Sequence, residues 1–218
     1  MPVACIGAFH ELAAAIARLY GAALFAPLSR QGMAAMTAYA CLTRQRIDLG
    51  DYAIRSIQPQ DIEDIRLWRN AQMDVLRQDA LITPDMQSTY FDTQIWPTLG
   101  EANPRQILVA FLHREARIGY GGLVHMAWPH SRAEVSFLVA PEIAADDERY
   151  PQAFDAFFAL IKTLAFDDLG LNRLTTETYS SRTKHISRYA AQALSKRADC
   201  ASMSKSTGPI STACCTAA

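Results

Sequence analysis

The sequence predicts a mixed α and β domain (α+β) in which a mostly antiparallel sheet is flanked by helices, and three observations support this prediction. Three short apolar runs occupy residues 106–139, with polar turns at 114–115 and 129–131 between them. A longer stretch then repeats apolar residues at helical spacing and ends at Gly170. Another alternating run follows at 172–179. Three strands, a helix and a strand in this order are typical of an antiparallel meander that leads into a crossover connection.

Local signals predict the elements that precede this meander. The composition changes at 48–51, and the segment Y-A-I-R-S-I at 52–57 then indicates a first strand. Pro59 then stands where a helix begins, and acidic residues follow in the first turn, where the helix dipole favours them. A second helix begins at Thr83 and Pro84 and ends before Pro97. The predicted order of elements along the domain is therefore strand, two helices, three strands, helix and strand.

The segment I-G-Y-G-G contributes three glycines at positions 119, 121 and 122. A nucleotide-binding loop of this type needs a helix directly after it, and none is predicted here. We therefore interpret them as strand glycines that let neighbouring backbones approach closely.

Composition narrows the class of protein and its partners. The chain has 218 residues, of which 50% are hydrophobic and 20% are charged, with a formal net charge of -1. This predicts one domain with a substantial core and no nucleic-acid partner, because nucleic-acid binding usually requires a basic excess. The five cysteines form no C-x-x-C pair, so we expect neither a metal site nor a disulfide framework. A reducing cytoplasm is the expected location.

Residues 1–48 form an Ala-rich extension that precedes the predicted domain at 49–187. The apolar stretch at 12–27 is interrupted by Arg18 and is too short to span a bilayer, so no integral membrane segment is expected. The first interpretation is a loosely specified appendage. The alternatives are a helix that forms a homodimer and a helix that lies on a membrane surface.

The element order across 49–187 resembles the GNAT acetyltransferases, and most closely those that modify ribosomal proteins or sugars. The resemblance implies the GNAT acyl-CoA acyltransferase fold and an N-acetyltransferase that uses acetyl-CoA without a metal. A small amine would attack the thioester directly, with no covalent enzyme intermediate. The alternative from another class is a non-catalytic acyl-CoA-binding module.

The resemblance also assigns candidate catalytic and cofactor-binding residues. Glu134, at the start of the central strand E-V-S-F-L-V, would act as general base, and a salt-bridged structural carboxylate is the alternative. His125 on the preceding strand is a second catalytic candidate, because its ordinary pKa suits proton transfer; a structural role is its alternative. The cofactor's pantetheine arm would pair with the backbone at Phe137, Leu138 and Val139.

The pyrophosphate of the cofactor would lie where this strand leads into the next helix, near Ala145, Arg149 and Tyr150. Related enzymes carry a glycine-containing loop there. This chain has A-A-D-D-E-R-Y instead, with three acids and no glycine. Either the cofactor is held differently, or binding is weak, or the acids are an ordinary solvated helix start.

The acceptor is suggested by Trp68, Arg69 and Asn70 on the first helix. W-R-N at this position resembles enzymes that acetylate amino groups on nucleotide-linked sugars, with Arg69 on a phosphate and Trp68 stacked on a base or sugar. Core packing for Trp68 and a surface charge for Arg69 are the alternatives. A protein N-terminal amine is the second candidate acceptor.

The tail at 188–218 shows neither helical nor strand periodicity. A codon frame built from the third base of one codon and the first two of the next permits G-R-L-R-E-H-V-x-I-D-G, which resembles the end of GNAT enzymes. We therefore hypothesise a one-nucleotide frameshift between His185 and Tyr189. The family's closing strands would then be missing, the sheet would have an open edge, and the chain could be an inactive product. A disordered tail is the simpler alternative.

Overall fold

The structure, a computed structural model, describes residues 37–76, 78–179 and 210–216. A seven-stranded sheet follows the order of the chain from β1 to β7, and each neighbouring pair is antiparallel except β5 and β6, which are parallel. The strands are β1 Arg46–Leu49, β2 Tyr52–Ser56, β3 Ile107–His113, β4 Ala116–Ala127, β5 Arg132–Val139, β6 Arg173–Tyr179 and β7 Ile210–Thr216. The predicted fold class is confirmed. The predicted helix in the N-terminal extension lies outside the described residues.

The helices are α1 Ile62–Ala71, α2 Pro84–Tyr90, α3 Pro141–Ala144 and α4 Arg149–Lys162. A 3-10 turn at Pro59–Asp61 leads into α1, and α4 continues through a π-helical turn at Thr163–Asp168. Thr83 caps α2 by accepting a hydrogen bond from the N–H of Met86 at 3.2 Å. Among the described residues, no helix is both long and apolar enough to cross a membrane.

The sheet separates two clusters of buried side chains. The larger one lies on the α4 face, where Phe137 contacts the rings of Phe111, Phe154 and Phe157. The smaller one lies beneath α1 and α2 and includes Leu108, Ala110, Tyr120 and Leu138 from the sheet. Because side chains alternate along a strand, each central strand contributes to both clusters.

The compact unit begins at Thr37, before the composition change at 48 that marked the expected boundary. Tyr39 is 1% exposed, and its hydroxyl accepts a hydrogen bond from the N–H of Leu108 at 2.9 Å. β1 then forms a hairpin with β2 around Gly50, whose φ is +59°. Four residues are too few to give a clear alternation, which is why β1 was not predicted from the sequence.

The expectation that no strand follows Tyr179 is wrong, because Ile210–Thr216 forms β7 and pairs with the whole of β6. An exposed strand edge offers main-chain donors and acceptors, so a segment can pair with it without an alternating side-chain pattern. The edge of β6 is therefore covered. The reading frame is a separate hypothesis, and the proposed shift at 185–189 falls outside the described residues.

Candidate active site

The site lies where β4 and β5 pass beneath α1 and α2, and three glycines let β4 fit closely between its neighbours. A Cβ at Gly121 would lie 2.2 Å from the carbonyl oxygen of Ser136, and one at Gly119 would lie 2.6 Å from that of Leu138. At Gly122, φ is +140° and a Cβ would lie 2.0 Å from the carbonyl oxygen of Ile107. The geometry agrees with the interpretation of these residues as strand glycines.

A bulge in β4 brings the two catalytic candidates together. The pairing of β4 with β5 is regular up to Val124 opposite Glu134, and it then shifts before Ala127. Within the bulge, His125 has a φ of +49°, which a non-glycine residue rarely adopts. Its Nδ1 lies 2.9 Å from Oε2 of Glu134. The Glu134 side chain is only 18% exposed whereas that of His125 is 69% exposed, so the imidazole connects a largely buried carboxylate with solvent.

A cavity of about 350 Å³ lies on the same face of the sheet, between α1, α2 and the central strands. Val124 and Ser136 line it, and Glu134 shares their face of the sheet because it pairs with Val124 and lies two residues before Ser136. Most of the wall is apolar, formed by Ile65, Ile82, Met86, Phe91, Leu108 and Val124. The His125–Glu134 pair therefore stands next to a pocket large enough for a small molecule.

Arg69 is the only charged side chain among the described residues that line this pocket. Its Nη1 donates to the hydroxyl of Tyr120 at 3.0 Å, and its Nε donates to Oε1 of Gln78 at 3.1 Å. In the described part of the chain no carboxylate pairs with Arg69, so its remaining N–H groups keep the capacity to bind an anion. Burial raises the pKa of Tyr120 by more than the positive charge of Arg69 lowers it. The phenol therefore stays protonated at neutral pH. Tyr120 was not among the residues predicted from the sequence, although its place between two strand glycines was an available signal.

The other two residues of the W-R-N segment support the pocket from outside it. Trp68 is partly buried against both core clusters. The amide of Asn70 donates to the carbonyl of Ile82 and accepts from its N–H, both at 2.9 Å, which fixes the loop before α2. Neither residue lines the pocket. The stacking role expected for Trp68 finds no support in this position, and Asn70 acts by holding the pocket wall.

The edge of β5 opens beyond Glu134. The ladder between β5 and β6 ends at the pair Glu134 and Thr175. The N–H of Ala140 donates to the carbonyl of Ile118 in β4, so the main-chain groups of even-numbered residues in β5 point towards β4. Within Val135–Val139, the N–H and C=O groups of the odd-numbered residues therefore point towards β6, beyond the end of the ladder. Two of the three expected arm-binding residues point their side chains to opposite faces, since Phe137 packs under α4 and Leu138 packs under α1.

Two further residues mark this opened edge, and neither was predicted from the sequence. The hydroxyl of Thr176 is buried and has no hydrogen-bond partner among the described residues. The Nε2 of Gln72 donates to the carbonyl of Val139 at 2.8 Å, which ties the end of α1 to the end of β5. Buried polar atoms are normally paired, so the Thr176 hydroxyl marks a place where a polar ligand atom fits.

The segment between β5 and α4 holds the remaining candidates. The Oδ1 of Asp146 accepts hydrogen bonds from the N–H groups of Glu148 and Arg149, both at 2.9 Å. These bonds hold the pKa of Asp146 below its usual value. The N–H of Ala145 donates to Pro141 and that of Tyr150 to the carbonyl of Asp146. The main-chain donors expected to meet a pyrophosphate at 145, 149 and 150 are thus engaged within the segment.

In the part of the chain that the structure describes, no group of three or more His, Cys, Asp or Glu side chains is placed to hold a metal ion.

Comparisons with known structures reveal the same fold. Spermidine N-acetyltransferase from Vibrio cholerae, in complex with CoA and spermine, matches with a TM-score of 0.55 and 13% identity over 77% of this chain and 96% of that chain. A probable GNAT-family acetyltransferase from Chromobacterium violaceum matches with a TM-score of 0.56 and 15% identity over 79% of this chain and 91% of that chain. At these identities the likeness establishes the fold alone.

No curated protein shows significant sequence similarity to the chain. The family model described as an acetyltransferase (GNAT) domain matches residues 54–192, which is well over half of the sequence. That range contains the opened edge of β5, the His125–Glu134 pair and the pocket beneath α1 and α2. The chain therefore belongs to the GNAT acetyltransferase family.

Proposed function

We propose that this protein is an acetyl-CoA-dependent N-acetyltransferase whose acceptor is a small amine that also carries an anionic group. The His125–Glu134 pair, on the strands that line the pocket, is the single observation that carries the proposal. The donor supplies an activated acyl group as a thioester. The amine nitrogen forms a C–N bond, the C–S bond breaks, and the proton lost by the amine balances the proton gained by the leaving thiolate.

Glu134 acts as the general base in this proposal. Its carboxylate lies on the pocket face of β5, at the last pair of the β5–β6 ladder. A largely buried carboxylate takes the proton from the attacking amine, and the exposed imidazole of His125 relays that proton to solvent. Both side chains are fixed by strands, so the base is positioned before the amine arrives.

The described residues fit the pantetheine arm of the donor. An extended, amide-containing arm can add to the edge of β5 at Val135–Val139 as a further strand would. The buried hydroxyl of Thr176 supplies an unpaired polar group beside that edge. The arm would thus be held by backbone groups of β5 and by Thr176.

Arg69 supports an anionic acceptor, and an amino-sugar nucleotide remains the preferred one. A guanidinium with no carboxylate partner among the described residues favours a phosphate or carboxylate on the substrate. The cavity of about 350 Å³ suits the sugar end of such a molecule. The Vibrio cholerae enzyme of similar fold was determined with spermine, a polycation. Arg69 is the only charged side chain among the described lining residues, and it would repel a polycation bound against that wall.

The proposal is tested by following thiol release from acetyl-CoA with a panel of amines. The panel pairs amino-sugar nucleotides with the corresponding uncharged amino sugars, and adds a peptide N-terminus and a polyamine. We expect turnover with the anionic amines, loss of turnover in Glu134→Gln and retention in Glu101→Gln, an exposed carboxylate outside the site. Turnover of the polyamine alone would contradict the assigned acceptor class.

Three further measurements separate the two rival interpretations: acetyl-CoA binding, cooperative unfolding and the coding DNA. Binding of acetyl-CoA without turnover of any amine would favour a non-catalytic binding module. Loss of cooperative unfolding in this chain, compared with a chain whose tail is restored to the alternative frame, would favour an inactive frameshifted product. The coding DNA decides the frameshift itself, because codons that cannot encode the alternative peptide exclude it.

A further inference from the structure

The main-chain N–H groups of the turn between β5 and α4 donate hydrogen bonds to acceptors within the same turn. The carbonyl of Ala140 accepts hydrogen bonds from two N–H groups of the turn, and the carbonyls of Pro141 and Ile143 accept one each. The carboxylate of Asp146 accepts two more, and its carbonyl accepts one. The donating N–H groups belong to Ile143, Ala144, Ala145, Asp146, Glu148, Arg149 and Tyr150. A phosphate group could reach these donors only by replacing bonds that the chain already makes.

The negative charge of the turn also opposes the binding of a phosphate group. Asp146, Asp147 and Glu148 are consecutive acids, and Arg149 is the only basic residue in 141–150. The carboxylate of Asp146 stands at the positive end of the α4 dipole, the position that an anionic ligand would otherwise take. Two phosphate charges placed here would meet a carboxylate at hydrogen-bonding distance from the same donors.

We infer that this chain recognises its acyl donor through the pantetheine arm and not through the pyrophosphate, because Asp146 occupies the anion position at the start of α4. The donor class is therefore the acyl thioester of pantetheine, whether or not a nucleotide is attached. In the transfer the C–S bond of either donor breaks, the amine gains the acyl group, and the free pantetheine thiol or CoA is released. This inference rests on the proposed function, since it names the donor of the same reaction.

Calorimetric titration of the full chain with acetyl-CoA and with acetyl-pantetheine tests the inference. We expect the two dissociation constants to differ by less than about tenfold, because each charge-assisted hydrogen bond to phosphate would add about a factor of ten or more. In Asp146→Gly, which releases the N–H groups of Glu148 and Arg149, acetyl-CoA should bind about tenfold more tightly. Binding of acetyl-pantetheine should stay within about twofold of the original chain.

Two further variants keep the test interpretable. Asp146→Asn retains an oxygen that caps α4 and removes only the charge, so we expect a smaller gain for acetyl-CoA of about threefold. This variant remains informative if the glycine variant melts early. Asp85→Asn alters an exposed acid in the first turn of α2 and should change neither affinity.

Each outcome has one meaning. A similar affinity for both donors, with a selective gain in the Asp146 variants, supports the inference. Acetyl-CoA binding more than about a hundredfold tighter than acetyl-pantetheine, or no gain in either Asp146 variant, overturns the inference and leaves the proposed function standing. Failure of both donors to bind overturns the proposed function and the inference together.

Discussion

The Nδ1 atom of His125 lies 2.9 Å from Oε2 of Glu134, and this contact depends on the bulge in β4. In a regular antiparallel ladder, successive side chains would leave on opposite faces of the sheet. The bulge gives His125 a positive φ and turns its ring towards the carboxylate. An exposed imidazole is thereby placed in contact with a largely buried carboxylate, beside the lining residue Val124.

Glu134→Gln should lower kcat by about 10²–10³-fold, because the amide is nearly isosteric but cannot accept the proton of the amine. The dissociation constant for acetyl-CoA should change little, since the carboxylate faces the acceptor pocket. Steady-state kinetics and calorimetry measure the two effects. Glu101→Gln is the matched control, and an unchanged kcat in Glu134→Gln would show that the carboxylate has a structural role.

His125→Asn should lower kcat by less than Glu134→Gln does, by about tenfold, because a relay through water remains available. Asparagine tolerates the positive φ of this position better than most residues, so the bulge is preserved. Added imidazole should restore part of the lost rate in this variant. A rate that does not respond to imidazole, together with a lower melting temperature, would indicate that His125 only stabilises the bulge.

Arg69→Met should raise KM for anionic amines by about 10–100-fold while leaving KM for uncharged amines within about threefold. The cause is the loss of the only charged group on the described wall of the pocket. Initial rates over a matched pair of charged and uncharged acceptors measure the effect. Arg105→Met, an exposed arginine outside the pocket, serves as the control. An equal rise for both acceptors would mean that Arg69 shapes the pocket without selecting charge.

The stability of the protein should fall above about pH 10, because burial raises the pKa of Tyr39 in the folded chain above its ordinary value of about 10. Above that pH the folded state keeps a proton that the unfolded state loses. The free energy of unfolding therefore has its full value below about pH 10 and decreases as the pH rises further. Tyr120 contributes in the same direction, since its pKa is also raised by burial.

In Tyr39→Phe this alkaline decline should become smaller, and stability at pH 7 should drop by about 1–3 kcal/mol because the N–H of Leu108 loses its acceptor. Urea unfolding at a series of pH values measures both effects. Tyr90→Phe, at a side chain that is 43% exposed, should leave the stability at pH 7 unchanged. An alkaline decline of the same size in Tyr39→Phe would contradict the assignment.

Gly122→Ala should destabilise the fold by about 3 kcal/mol or more, because its Cβ would lie 2.0 Å from the carbonyl oxygen of Ile107 and φ is +140°. Gly100→Ala is the matched control, since nothing lies within 4 Å of a Cβ there. Chemical denaturation compares the two variants. Similar stability for both would show that β4 can move away from β3 at little cost.

Local patterns in the sequence were sufficient for the three longer helices and the central strands, but not for the single turn α3. The predicted starts at Pro59 and Thr83 agree with the structure because proline geometry and side-chain capping act within a few residues of the chain. The apolar runs at 106–139 became β3 to β5 because strands covered on both faces are apolar nearly throughout, and the alternating run at 172–179 became β6. The order of these elements was also enough to identify the fold.

Contacts between distant segments decided the remaining features. β7 pairs with β6 through main-chain groups, which no side-chain pattern announces. The sequence names His125 and Glu134 as separate candidates, and only the register of β4 against β5 makes them a pair. It shows the acids before α4, but only the folded turn shows that Asp146 takes up the donors a phosphate would need. Such features depend on which backbones lie side by side, and that is fixed by packing across the whole sheet and not by the local chain.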